Sequence, residues 1–158
     1  MKAPTPSSPI PTYRRPSWIM RHLVDPLTRV LVGKLGLDDH TGTRVLEVQG
    51  RTSGHWHTTP VKLLEWEGHN YLVAMYGETN WVKNLRAQRH GRIRLGGHVT
   101  EFRVVELSDA DKLSILRTYL KRYWSLVARM TTLTSADAPT EELARVAPLH
   151  PVFRLETR

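Results

Sequence analysis

Between Thr43 and Leu107 the chain alternates short β-rich runs with glycine-bearing turns. No other feature limits its folds as much. Residues 43–49 are rich in β-branched and long apolar side chains, and a second run, 56–65, follows a turn bounded by Gly50 and Gly54. Glu67-Gly68 separates it from 71–75, whose unbroken apolar character suits a strand buried on both faces. Residues 92–95 alternate, Gly96-Gly97 is a two-residue hairpin signal, and 98–107 alternates again. Residues 151–155 read as a closing strand. Five or six strands, mostly hairpin-connected, with helices inserted and at the ends, predict an α+β fold built on a small antiparallel barrel.

The helical signals are placed around these strands. One short helix is expected over 79–88, with Thr79 as its N-cap. Ser108-Asp109-Ala110-Asp111 resembles a capping box, and Leu113, Leu116, Leu120, Tyr123 and Val127 then form one stripe. Pro139-Thr140-Glu141-Glu142 opens a shorter helix. Upstream, residues 1–16 hold five of the ten prolines and read as a flexible or extended leader. Residues 17–37 form an amphipathic segment carrying Trp18, Ile19, Leu23 and Leu27, broken or kinked at Pro26. It either lies on an anionic bilayer or packs on its own domain or a dimer mate. The barrel domain is expected over 38–158.

Composition removes several functions. The chain has no cysteine, which excludes disulfides, thiolate metal sites and thiol nucleophiles. No apolar run approaches the roughly 18 residues that a membrane span needs. No apolar core precedes a cleavage site at the N-terminus, so a cytoplasmic protein is expected, with membrane association left open through the amphipathic segment. Twenty-three Lys and Arg face fifteen Asp and Glu, a net charge of +8. That excess favours an anionic partner. The basic residues are dispersed rather than clustered, so nucleic acid is not expected.

The candidate chemistry centres on Gly50, Arg51, Thr52, Ser53 and Gly54. Such a turn can aim backbone N–H groups and hydroxyls at one point, and the guanidinium of Arg51 can grip a phosphate. An ordinary solvated hairpin turn fits the same spacing. It is neither a Walker sequence nor a dinucleotide fingerprint. On the short helix, Trp81, Asn84 and Leu85 share a face. Trp81 can wall a flat ring and Asn84 bond to it; equally, Trp81 and Leu85 can be core with Asn84 on the surface. His55 and His57 lack a third ligand at any recognised spacing, so no metal site is expected. Ser53 has no nominated base, and no Gly-x-Ser-x-Gly is present. Tyr76, Tyr119, Tyr123 and Trp124 remain as pocket candidates.

Taken as a set, Val48 to Gly54, then Thr58-Thr59-Pro60-Val61, then Tyr71-Leu72-Val73-Ala74, then Asn80-Trp81-Val82-Lys83-Asn84-Leu85-Arg86-Ala87 resemble the deazaflavin-dependent nitroreductase and quinone reductase family. The similarity spans about residues 35–107 and leaves 1–34 outside. The ending His150-Pro151-Val152-Phe153-Arg154-Leu155 is similar too. The resemblance implies a split β-barrel of the flavin-reductase type. It also implies coenzyme F420, an 8-hydroxy-5-deazaflavin with a phospholactyl-oligoglutamate tail, whose negative charge suits the basic chain. On that basis Arg51, Thr52 and Ser53 would hold the phosphate and the start of the tail. Thr58, Thr59 and Pro60 would line the deazaflavin. Ala74, Met75, Tyr76 and Gly77 would follow its other edge, with Trp81 and Asn84 closing the pocket. Many relatives carry a basic residue just after the turn, where this chain has Trp56 and His57; His57 is the weaker substitute.

The activity so implied is hydride transfer from reduced F420 to a flat, electron-poor acceptor such as a quinone, a nitroaromatic or an unsaturated lactone. A proton would come from Tyr76, Tyr123 or water. Two alternatives stand beside it: an FMN-dependent split-barrel reductase, and a non-enzymatic carrier of a tetrapyrrole, lipid or cofactor. Exposed strand edges need covering, so a homodimer is a natural arrangement.

Overall fold

Six strands close on themselves in the computed structural model, which describes residues 43–157. They are β1 (Thr43–Gln49), β2 (Trp56–Trp66), β3 (His69–Val73), β4 (His90–Leu95), β5 (His98–Glu106) and β6 (Val152–Thr157). The order around the barrel is β1-β2-β3-β6-β5-β4, every pair antiparallel. This is the α+β split-barrel arrangement that the sequence predicts. The leader over 1–16, the amphipathic segment over 17–37 and its membrane contact lie outside the described residues. Among those described, no helix is long and apolar enough to cross a membrane.

The hairpins follow from their turn residues. Trp66 pairs with His69 across Glu67 and Gly68, which have φ of 49° and 74°. Two consecutive positive φ values match the strand twist, the preference of two-residue hairpins. The β4–β5 turn places a single positive φ, 55°, at Gly96, which glycine takes at no steric cost. The early turn moves β3 upstream of the expected 71–75. It begins at His69 because the register starts beside the tight turn. It ends at Val73 because the Gly77 amide turns back to the Ala74 carbonyl at 3.0 Å.

Two apolar layers result, one on each face of β3. Leu46, Val48, Leu72, Ile93, Phe102, Phe153 and Leu155 fill the barrel, and Val82 and Leu85 of helix α1 (Asn80–Gln88) plug it. On the other face Leu64, Tyr71, Val73 and Val152 are covered by two further helices. These are α2 (Leu113–Val127), through Ile115, Leu116, Tyr119 and Leu120, and α3 (Thr140–Val146), through Leu143 and Val146. The α2 stripe is therefore core, as its spacing predicts. Its expected capping box forms only by half: Ser108 Oγ accepts the Asp111 amide at 3.1 Å but donates its own proton to the Asp111 carboxylate. The regular helix consequently starts later, at Leu113.

The barrel seam pairs β4 with β1, Glu47 opposite Arg92. Gly91 is set between the strands, where a Cβ would lie 2.9 Å from the Glu47 carbonyl oxygen and 2.9 Å from the Phe102 ring. Neither neighbour is the end of a flexible chain. Gly91→Ala is therefore expected to destabilise the fold by about 1–3 kcal/mol. Gly97→Ala, which meets nothing within 4 Å, is expected to stay within about 0.5 kcal/mol of the parent in urea unfolding.

Candidate functional site

The Gly50–Gly54 turn is a closed loop of its own backbone. Gly50 N–H donates to His55 O at 2.8 Å, Gly54 N–H to Gly50 O at 2.9 Å, and His55 N–H to Ser53 Oγ at 3.3 Å. Gly54 has φ 69°, a left-handed conformation suited to glycine. Gly50 is needed for space: a Cβ there would stand 2.5 Å from Ser53 Oγ and 2.9 Å from His57 Nε2. So Ser53 and His57 converge over Gly50, although they stand four positions apart in the chain.

Arg51 joins this turn to α1. Its Nη1 donates to Asn84 Oδ1 at 2.7 Å, and its backbone N–H approaches the same oxygen at 3.3 Å. Asn84 is only 6% exposed, so the surface alternative for this residue does not hold. Trp81 is half-buried and tilts against Phe153 with ring centroids 6.0 Å apart, at the end of the barrel core. Thr58, Thr59 and Pro60 lie in β2 opposite Glu47, Leu46 and Val45. Strand alternation sends Thr58 and Pro60 to one face and Thr59 with His57 to the other. The Thr58 hydroxyl oxygen is buried and has no hydrogen-bond partner.

Segment 74–77 leaves β3 at the same end of the strand. Ala74 joins the barrel layer, whereas Met75 packs into the helix-side layer. Gly77 has φ 71°. Tyr76 is half-buried, and burial holds its hydroxyl above the usual tyrosine range. Tyr123 is differently placed. Its hydroxyl donates to Leu63 O at 3.2 Å, its ring lies 4.8 Å from that of Tyr119, and its φ of −120° interrupts α2.

Several supporting residues escape a reading by motif. Arg86 binds both oxygens of Glu106, at 2.8 and 2.7 Å, and also pairs with Glu78. It thereby ties the end of segment 74–78 to α1 and β5. His150 is 4% exposed and faces the backbone of Ala74 and Met75, and its Nδ1 has no partner. Burial, aided by the nearby Lys112 charge, lowers its pKa to about 4 against the pull of those backbone bonds. The His150-Pro151 pair was the only hint of it in the sequence. A cavity of about 570 Å³ opens beside Trp56, between the end of α1 and strands β4 and β5.

A family model described as F420H(2)-dependent quinone reductase matches residues 27–140, well over half of the chain. The chain belongs to that family. The F420H(2)-dependent quinone reductases draw on reduced coenzyme F420, so this chain is an F420-dependent oxidoreductase. The match is wider than the 35–107 span read from motifs, reaching back into the N-terminal segment and forward to the start of α3. Among solved structures, an F420-H2 dependent reductase (FDR-A) superposes with a TM-score of 0.52 at 18% identity. The likeness covers 73% of this chain and 95% of that one. A protein described as a domain-swapped dimer gives 0.53 at 17%, covering 88% and 97%. The protein Atu2129 of Agrobacterium tumefaciens gives 0.52 at 18%, covering 84% of this chain and 55% of its own. At such identities these likenesses speak for the fold alone. No curated protein matches the chain in sequence.

The buried histidine sets a pH dependence. Its folded pKa of about 4 lies below the ordinary 6.5. Above pH 6.5 both folded and unfolded states are neutral there, and its contribution to stability is complete. Between about 6.5 and 4 the unfolded chain takes up a proton that the folded chain refuses. Stability therefore falls with pH across that window, by about 3 kcal/mol in all. His150→Asn is expected to flatten this part of the curve of unfolding free energy against pH.

Proposed function

We propose that the 50–54 turn, the 58–60 stretch of β2 and segment 74–77 hold coenzyme F420, and that the reduced cofactor serves a flat, electron-poor acceptor such as a quinone or nitroaromatic. The observation that carries this reading is the Arg51–Asn84 pair, which brings two sequence-distant motifs to one place. When bound, the reduced deazaflavin supplies a hydride at C5. The protein's part is to bind, orient and protonate.

Arg51, Thr52 and Ser53 are exposed at the turn, free of the core and suited to a phosphate. His57, pressed towards Ser53, adds a second donor there. Thr58, Thr59 and Pro60 lie on β2 just beyond that turn, where the deazaflavin would follow the strand. Trp81 and Asn84 close the end of the pocket. Tyr76 carries its phenolic proton at the exit of β3, and burial raises its pKa, so its role is to hydrogen-bond and orient the acceptor more than to act as a strong acid. Tyr123 would first have to release the Leu63 carbonyl. Trp56, Val99 and Val105 leave apolar surface exposed on the barrel, and pairing of two copies would cover it; a structural neighbour is a domain-swapped dimer.

Titration with F420 and with FMN tests the cofactor site. F420 is expected to bind the more tightly, and Arg51→Ala to weaken it about 10- to 100-fold, as losing a charged hydrogen bond does. Tighter FMN binding would overturn the assignment. Oxidation of reduced F420 by a menadione-like quinone tests the acceptor class, and no turnover with quinones, nitroaromatics or unsaturated lactones would reject it. Tyr76→Phe is expected to lower kcat about 10²-fold with cofactor affinity unchanged.

A further inference from the structure

We propose that Arg86 is a positioning residue of the reaction: through Glu78 it holds segment 74–78, and with it Tyr76, in place against the acceptor. The proposal rests on the acceptor reading above, which gives Tyr76 that role, and deepens it with three charged side chains that no motif marks.

Segment 74–78 is pinned at its start. The Ala74 amide donates to Pro151 O at 2.8 Å, and Met75 is packed in the helix-side layer. The buried His150 ring faces the backbone of both residues. These contacts reach as far as Met75. Gly77 then turns at φ 71°, its amide returning to Ala74 O at 3.0 Å. Thr79, at the N-cap of α1, makes no side-chain capping bond. Tyr76 thus sits on a stretch whose far end needs a hold of its own, since a glycine turn does not fix its own backbone angles.

Glu78 supplies that hold. Its carboxylate pairs with Arg86 Nη1. The same guanidinium takes both oxygens of Glu106, through Nε at 2.8 Å and Nη2 at 2.7 Å. Glu106 is a fixed reference: it ends β5 opposite Phe153 of β6, beside the Leu107 amide that donates to Val152 O at 2.9 Å. Arg86 itself follows Leu85, fully buried in the barrel core. The planar fork meets Glu106 with one edge and still presents Nη1 to Glu78; the point charge of a lysine cannot reproduce both contacts.

The hydrogen bond from Arg86, and after it the Arg86 charge, hold the Glu78 carboxyl below the usual carboxylate range, so the pair is intact at neutral pH. The side chains of Arg86, Glu78 and Glu106 are 36%, 61% and 36% exposed. Ion pairs so exposed contribute little to global stability. Their effect is therefore separable from folding: without them the barrel stays closed, while the far end of the segment gains room to open and Tyr76 moves with it.

The test uses the full chain saturated with reduced F420 and a neutral, menadione-like quinone. Glu78→Ala is expected to lower kcat/KM for the quinone about fivefold, the upper end for loss of one exposed pair, and Glu78→Gln, which keeps an acceptor oxygen, to lower it less. F420 affinity is expected to stay within about twofold and the thermal midpoint within about 3 °C. Amide hydrogen exchange at Gly77, slowed by its bond to Ala74 O, is expected to accelerate by about the same factor as kcat/KM falls. High salt screens exposed charges, so it is expected to lower kcat/KM in the unaltered protein and to leave Glu78→Ala unmoved. Because both carboxylates act through Arg86, Glu78→Ala and Glu106→Gln combined are expected to cost no more than the worse of the two alone. An unchanged kcat/KM with a lowered thermal midpoint would make Arg86 a strut of the fold only and overturn the proposal. So would unchanged exchange at Gly77, an equal loss of F420 affinity, salt sensitivity that survives Glu78→Ala, or additive effects of the two single changes. Tyr76→Phe separates the two levels. If it leaves turnover unaltered, the acceptor reading falls and this proposal with it; if it lowers turnover while Glu78→Ala does not, this proposal alone falls.

Discussion

The seam between β1 and β4 is the constraint on which the other features depend. A barrel of six strands closes only if its first and fourth strands approach closely, and here Gly91 permits that approach against the Glu47 carbonyl. Closure leaves β1 flanked by two partners. It fixes which face of β2 looks inward, and therefore which of Thr58 and Thr59 meets the core. The Glu47 carboxylate, nearly buried, pairs across the seam with Arg94 at 2.8 Å. One glycine and one ion pair thus determine the geometry from which the site is built.

The site itself is assembled from ends rather than from a single motif. The β1–β2 turn, the exit of β3 and helix α1 meet because α1 plugs the barrel with Val82 and Leu85. Burial of those two side chains orients Asn84 toward the turn, where Arg51 receives it. Hydrophobic packing thus sets the position of a polar contact. The same logic explains the buried His150: the strand that contributes Phe153 to the barrel brings its preceding histidine against the backbone of segment 74–75.

Much of this was legible in the sequence because it is local. Strands β1, β2, β4, β5 and β6 lie where alternation and glycine turns put them, within a residue or two. The α2 stripe was readable from its spacing. What was not legible depends on register and on side chains meeting at a distance. The Glu67-Gly68 turn is tight enough to start β3 at His69, which an apolar run beginning at Tyr71 cannot reveal. Asn84 has the same local context whether it is exposed or buried; only the Arg51 partner, 33 residues away, decides between them. Arg86 reads as one charge among many until Glu78 and Glu106 fold onto it. Met75 shares an apolar run with Ala74, yet the two face different layers, a distinction visible only once β3 has a barrel on one side and helices on the other.

Helix α1 carries Asn84 and Arg86 two positions apart, with the fully buried Leu85 between them. Asn84 fixes the turn, and Arg86 fixes the end of segment 74–78 through Glu78. The helix is therefore a ruler: it sets the span between the turn and segment 74–78, and neither can drift without the other.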